Sequence, residues 1–307
     1  MKKILFTILL STILFADNVY TLNNTKYVED KGIRVSIDTG KPINGILKTQ
    51  LKKSGLRTET PYKNGIADGI SITYYKSGKI HSETPIKNDR QEGVEKKYRE
   101  TGELFSETPY KNGLKNGIEK VYYSTGKVEK PFKNGLGNGI VRRYYKSGEL
   151  LSETPYKEGS PYGTHKEYYK TGELRSKLVL QKNSVDGVLI SFYKTGELLS
   201  KVPVVDDRRE GIEKVYYKTG ELKEEKLYKD NRLKSIKKYF KTGELLSETP
   251  YSGGNSINGV YREYNKDAEL KYEITYEYDK AVKGFMYVDG KKKKMTNTHF
   301  HKMGIKY

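Results

Sequence analysis

Two glycine series recur through this chain at one period and cut it into short, nearly equal segments. Gly55, Gly78, Gly102, Gly126, Gly148, Gly172, Gly196, Gly220 and Gly243 lie 22 to 24 residues apart, and Ala268 takes the next place. Gly45, Gly69, Gly93, Gly117, Gly139, Gly163, Gly187 and Gly211 keep the same interval, which resumes at Gly259 after Ser235. Segments this short do not support stable helices, but they suit strands of about five to seven residues joined by turns. One such hairpin cannot bury a face by itself. Stacked copies can, which is why the unit must recur.

Counted from the first-series glycine, four positions are apolar in nearly every copy. Eight residues before it stand Ile70, Val94, Ile118, Ile140, Val188, Ile212 and Val260; four before it stands an aromatic residue in every copy from Tyr74 to Tyr264. Two after it stand aliphatic residues such as Leu104 and Leu150, and eight after it come Ile86, Tyr110, Tyr156, Tyr251 and Tyr276. Residues of equal parity share one face of a strand, so these even places predict apolar ladders along a single face. The Lys-Thr-Gly or Lys-Ser-Gly link reads as a tight hairpin and Lys-Asn-Gly as a looser one. Pro61, Pro85, Pro109, Pro155, Pro203 and Pro250 fall near the end of the second strand, where pairing stops, because proline has no N–H to donate.

The recurring pattern is Gly, Ile or Val, three variable residues, Tyr, Tyr or Phe, Lys, Thr or Ser, Gly, Glu or Lys, Leu, followed later by Tyr-Lys-Asn-Gly. It resembles the MORN-repeat variant of bacterial proteins in the YwqK antitoxin family, over residues 45 to 276. That resemblance implies an all-β fold, an elongated single-layer antiparallel sheet of about ten tandem β-hairpin (MORN-like) repeats. It further implies a binding or scaffolding role, with no cofactor and no chemistry. Residues 17–44 and 277–307 depart from the pattern and read as an N-terminal cap and a C-terminal cap with a basic tail.

Ahead of the repeats, Lys2 and Lys3 precede an apolar run from Ile4 to Phe15 that ends at Ala16. Residues 1–16 therefore read as a signal peptide cleaved near Ala16, which predicts an exported protein of the periplasm, envelope or medium. The absence of Cys excludes disulfides, thiolate metal sites and a cysteine nucleophile.

Charge supplies the candidate surface. The chain holds 58 Lys and Arg against 39 Asp and Glu, a formal +19, with 28 Tyr and no Trp. Six residues before the first-series glycine lie Lys96, Lys120, Arg142, Lys166, Lys214 and Arg262, with Lys237 in a shortened copy. They share a face with Tyr98, Tyr122, Tyr144, Tyr168 and Tyr216, so a positive stripe beside a line of Tyr rings is expected. Such a stripe suits an acidic protein or envelope component, or an anionic membrane surface. Export argues against nucleic acid as the ligand. Its structural counterpart is Lys stems covering Tyr rings while their charges keep sheet edges apart.

No phosphate loop, HExxH or nucleophile elbow occurs. Glu103, Glu149, Glu173, Glu197, Glu221 and Glu244 recur after the first-series glycine, and recurrence points to cross-strand pairing with Lys rather than to acid/base chemistry. His299 and His301 are expected on one side of a strand, in an exposed tail. No catalytic residue, metal site or cofactor is expected. The function read here is a non-enzymatic surface for another macromolecule, with an antitoxin or immunity protein and a peripheral membrane-binding protein as alternatives.

Overall fold

Glycine and asparagine at the turns decide how each hairpin closes. The computed structural model describes residues 18–50, 54–180, 187–252 and 256–307, so the expected leader at residues 1–16 lies outside the described residues. The fold is all-β, built of tandem antiparallel hairpins, with a single α-helix, Asn297–Lys302, among the described residues. The chain divides into two compact units, with the boundary between Leu136 and Gly137.

In the first unit, Val19–Thr21 lies parallel to Gly45–Gln50, and Thr25–Val28 pairs with Ile33–Ser36 as a separate two-stranded sheet. Ile43, Val35 and Leu47 are buried there. Four hairpins follow: Gly45–Gln50 with Arg57–Lys63, Gly69–Tyr74 with Ile80–Lys87, Gly93–Tyr98 with Leu104–Lys111, and Gly117–Tyr123 with Gly126–Lys133. The second unit repeats the plan from Gly139–Tyr145 with Leu150–Lys157 to Gly259–Tyr264 with Leu270–Glu277, then adds Lys280–Val288 and Lys291–Lys294.

The two turns are the reverse of what was expected. Lys63 pairs with Ile66, so Asn64 and Gly65 form a two-residue loop in which both have positive φ, 52° and 78°. Positive φ at both central residues is the type I′ requirement, which Asn and Gly meet with least strain. At the Lys-Ser-Gly link, Gly78 N donates to Tyr75 O and Tyr75 N to Lys79 O. This leaves a three-residue loop in which Gly78 supplies the left-handed position. The Asn-Gly turn is therefore the tighter of the two.

The second-series glycines are not turn residues. Gly69 follows a two-residue strand, Ile66–Ala67, at a bulge where Asp68 N donates to Pro61 O. N and C=O of one residue point to the same side of a strand, so the missing proline N–H faces this bulge and no ladder bond is lost. The ring closes over the glycine: a Cβ on Gly69, at φ +128°, would stand 2.7 Å from Pro61 Cγ. Proline and glycine are one packing device.

A register shift near the other turn also divides the apolar positions between two faces. Lys97 pairs with Ser106 but Tyr98 pairs with Leu104, so one residue of the returning strand is left over. A one-residue bulge inverts parity beyond it. The single-face ladder expected from even spacing is thus split. One face, the ladder face, carries the aliphatics eight before the glycine, which are exposed (Ile70 58%, Val94 44%, Ile118 49%). The opposite face carries the buried serines Ser82, Ser106, Ser152, Ser176, Ser200 and Ser247, together with Tyr110 and Tyr156 opposite Gly93 and Gly139.

Adjacent repeats are tied at both turns. The second aromatic position supplies one tie: Tyr75 donates its hydroxyl to Tyr98 O at 2.8 Å, Tyr169 to Phe192 O at 2.8 Å and Tyr193 to Tyr216 O at 2.8 Å, and Tyr145 and Tyr217 do the same. Where Arg99 replaces this tyrosine, its guanidinium reaches Tyr122 O. At the opposite turns Asp89 N donates to Ala67 O while Ala67 N donates to the Asp89 carboxylate. Tyr169→Phe should therefore cost about 1 kcal/mol, the usual net value of one hydrogen bond. Denaturant unfolding or amide exchange around Phe192 reads it, and an unchanged value would mean that the hydroxyl is bonded to water instead.

Candidate interaction surface

Across the ladder face, the residues six before the first-series glycine meet the glutamates five after it. In the first unit Lys48 and Glu59, seven before and four after Gly55, lie 3.2 Å apart, and Lys96 pairs in register with Glu83 on one side and Glu107 on the other. Lys120 stands between Glu107 and Glu129. In the second unit Arg142 Nε lies 3.0 Å from Glu153, Lys214 3.5 Å from Glu225, Lys237 2.9 Å from Glu248 and Arg262 Nε 3.3 Å from Glu273. The expected stripe of one sign is, for most of its course, a row of alternating sign.

Tyrosine completes each set. The hydroxyl four before the glycine donates to the glutamate of the preceding hairpin: Tyr98 to Glu83 at 2.9 Å, Tyr122 to Glu107 at 3.3 Å, Tyr168 to Glu153 at 3.0 Å and Tyr239 to Glu225 at 2.7 Å. Tyr144 and Tyr216 hold the same register, opposite Leu150 and Leu222. The glutamate of the Ser-Glu-Thr-Pro string is thus the hub of the surface, and sequence reading passed over it. The signal was present: that glutamate recurs as regularly as the lysine it meets. What hid it was the bulge, which makes an odd offset share the face of an even one.

Burial raises the Tyr98 phenol to about 12, with the bond to Glu83 acting in the same direction. A phenol held protonated by folding contributes stability that is whole below its ordinary value near 10 and is lost as pH rises toward 12. The stability difference between the wild-type chain and Tyr98→Phe should therefore shrink between pH 10 and 12. A difference constant over that range in denaturant titrations would contradict the assignment.

The glutamates following the glycine behave differently from the expectation of cross-strand Lys pairing. Glu173, Glu197 and Glu221 accept from Thr171, Thr195 and Thr219 of their own turns, and Glu149 from Ser147. These hydroxyl bonds, with a backbone N–H, hold the four carboxyls below their usual range. They cap turns, because a hydroxyl two residues away is nearer than any lysine.

On the serine face, His165, Glu167, Arg175, Ser176, Leu178 and Leu189 line a depression of about 450 Å³. Burial works to raise the Glu167 carboxyl, but bonds from Arg175 at 2.6 Å and Ser176 at 3.0 Å outweigh it and leave it lowered. His165 Nδ1 lies 2.8 Å from the Thr154 hydroxyl. His299 and His301 fall on the helix Asn297–Lys302 rather than on a strand, and His299 Nδ1 accepts from Thr296 N at the helix start. Among the described residues no group of three or more metal-ligating side chains occurs. Lys291–Lys294 forms a short exposed edge strand in which Lys292 lies 4.0 Å from the Phe285 ring centroid. An all-lysine edge discourages pairing with another sheet.

The hairpins, bulges and turn ties define a tandem β-hairpin repeat protein. Six of its segments, residues 67–88, 91–112, 115–134, 138–158, 161–182 and 209–230, match the MORN repeat variant. No curated protein matches the sequence. Among solved structures, TcdB2-TccC3-Cdc42 is similar over 86% of this chain at 12% identity with a TM-score of 0.17, and TcdB2-TccC3 over 85% at 13% identity with a TM-score of 0.19. This chain spans 16% of the length of each. Likeness at that level carries no inference about this chain.

Proposed function

We propose that this chain is an exported, non-enzymatic repeat protein whose ladder face binds another macromolecule. The observation that supports this reading is the recurrence of one half-buried Lys/Arg, Glu and Tyr set at equivalent places in successive hairpins. Acid/base catalysis draws on one environment that separates two pKa values. A set rewritten in every repeat offers many equal environments, which suits adhesion along a surface. Export rests on the pattern of residues 1–16 and is tested by N-terminal sequencing of the mature protein. The immobilised chain should capture a specific, saturable partner from envelope extracts; recovery of nothing above background removes the proposal.

A second reading rests on the resemblance of the repeat pattern to the YwqK antitoxin family: an antitoxin or immunity protein that neutralises a toxin by direct binding. Co-expression with a toxin encoded beside it should restore growth under that reading, and no rescue would exclude it.

A further inference from the structure

Two consecutive hairpins of the second unit break the alternation of charge. Five residues after the first-series glycine stand Glu83, Glu107, Glu153, Glu225 and Glu248, but Lys177 and Lys201 take that place in the hairpins between Gly163 and Val205. Register then sets Lys166 opposite Lys177, Lys177 beside Ile190, Ile190 opposite Lys201, and Lys201 beside Lys214. Four ammonium groups occupy five neighbouring strands, a span of about 19 Å at roughly 4.8 Å per strand. Like charges directly opposite one another destabilise a sheet. The cost is avoidable here, since the same chain writes glutamate at the equivalent positions on either side.

The neighbouring aromatics change with the charge. The ring that would donate to a glutamate at 177 is Phe192, which has no hydroxyl, and Lys177 Nζ lies 5.9 Å from its centroid. Among the described residues Lys166, Lys177 and Lys201 make no ion pair, while Lys214 reaches Glu225. Lys166 and Lys201 are exposed. Two residues along the strands, on the same face, stand Val179 (49% exposed), Val188 (40%) and Ile212 (46%). The patch is cationic with an apolar border, and Glu153 and Glu225 close its two ends.

We infer that Lys166, Lys177, Lys201 and Lys214 form the docking site for a short, extended acidic segment of a partner protein, whose carboxylates meet the four lysines and whose apolar side chains cover Val179, Val188 and Ile212. This deepens the proposed function and rests on it. Charge complementarity selects the acid, and the border selects the polypeptide. A uniformly charged polymer leaves the aliphatics bare, and a membrane surface wider than about 19 Å meets the alternating glutamates on both sides.

The probe is a fluorescently labelled octapeptide of glutamate and leucine, titrated onto the full chain at low salt. Binding is expected to weaken with added salt and to fall at least tenfold in the double variant Lys177→Glu, Lys201→Glu. That variant restores the charge pattern of the other repeats, so its melting temperature should equal or exceed the wild type, which separates lost binding from lost folding. Lys76→Glu with Lys146→Glu, the same change of charge at two exposed Lys-Ser-Gly turns outside the Lys/Glu/Tyr set, should leave the affinity unchanged. Equal affinity for wild type and the 177/201 variant, no peptide binding at all, or preference for phosphatidylglycerol vesicles or polyphosphate overturns the inference. Capture of an envelope protein equally by wild type and this variant overturns the patch but keeps the broader binding role; capture by neither removes that role.

Discussion

Phe300→Ala should loosen the C-terminal end of the second unit at a cost of about 3–5 kcal/mol, the range for deleting a buried aromatic ring. Open sheets of this kind have little fully enclosed volume. At the C-terminal end of the second unit a cluster is enclosed: Ile274 at 0% exposure, with Ala281, Met295 and Phe300 at 4–5%. Phe300 enters it from the helix Asn297–Lys302, and Gly284 beneath is bare because a Cβ there would lie 2.7 Å from Phe300 Cζ and 2.9 Å from Met295 Sδ. The ring therefore seals the face that the last full hairpin would otherwise expose, as a terminal cap must in a repeat protein. Stability in such arrays is local, so the expected readout is faster amide exchange over Leu270–Glu277 and Lys280–Val288 while Gly139–Tyr145 keeps its protection. Uniform loss of protection through the second unit would show that the cap governs the whole array, and no change would show that the cluster packs without the ring.

Gly117→Ala should cost about 3 kcal/mol, combining backbone strain at φ +118° with overpacking against Pro109, whose Cγ would stand 2.8 Å from the new methyl. The two contributions can be separated. Pro109→Ala in the same chain removes the collision but not the strain, so the double variant should recover roughly half of the loss, a coupling expected of residues in direct contact. Additive losses would mean that Pro109 and Gly117 do not act on each other. Gly163, where the nearest Pro155 atom would be 3.7 Å away, is the control: alanine there should carry the strain without the clash.

Much of the fold was legible before any coordinates. Two glycine series at one period specify hairpins, the short segments specify strands, and the apolar positions specify stacking. Misreadings came where chain geometry departs from a two-residue repeat. The extra residue opposite Lys97 and Tyr98 moved Glu107 into line with Lys96, and with it turned an expected positive stripe into a row of alternating sign. Turn order was inverted because Asn64 adopts positive φ, which lets a two-residue loop suffice. The tyrosine hydroxyls bond backbone carbonyls and glutamates of neighbouring repeats, separated by 23 and 15 residues in sequence, partners that composition and spacing do not name.

The sequence by itself determined the period, the strand and turn content, the recurring residue types and the excess of positive charge, because each follows from local spacing and composition. Only the tertiary structure decided which side chains meet across strands. That depends on register, and in most hairpins one bulged residue changes every pairing beyond it. It is also what distinguishes Lys177 and Lys201 from an ordinary irregularity of the repeat: they stand among other lysines, at the place where every flanking hairpin sets a carboxylate.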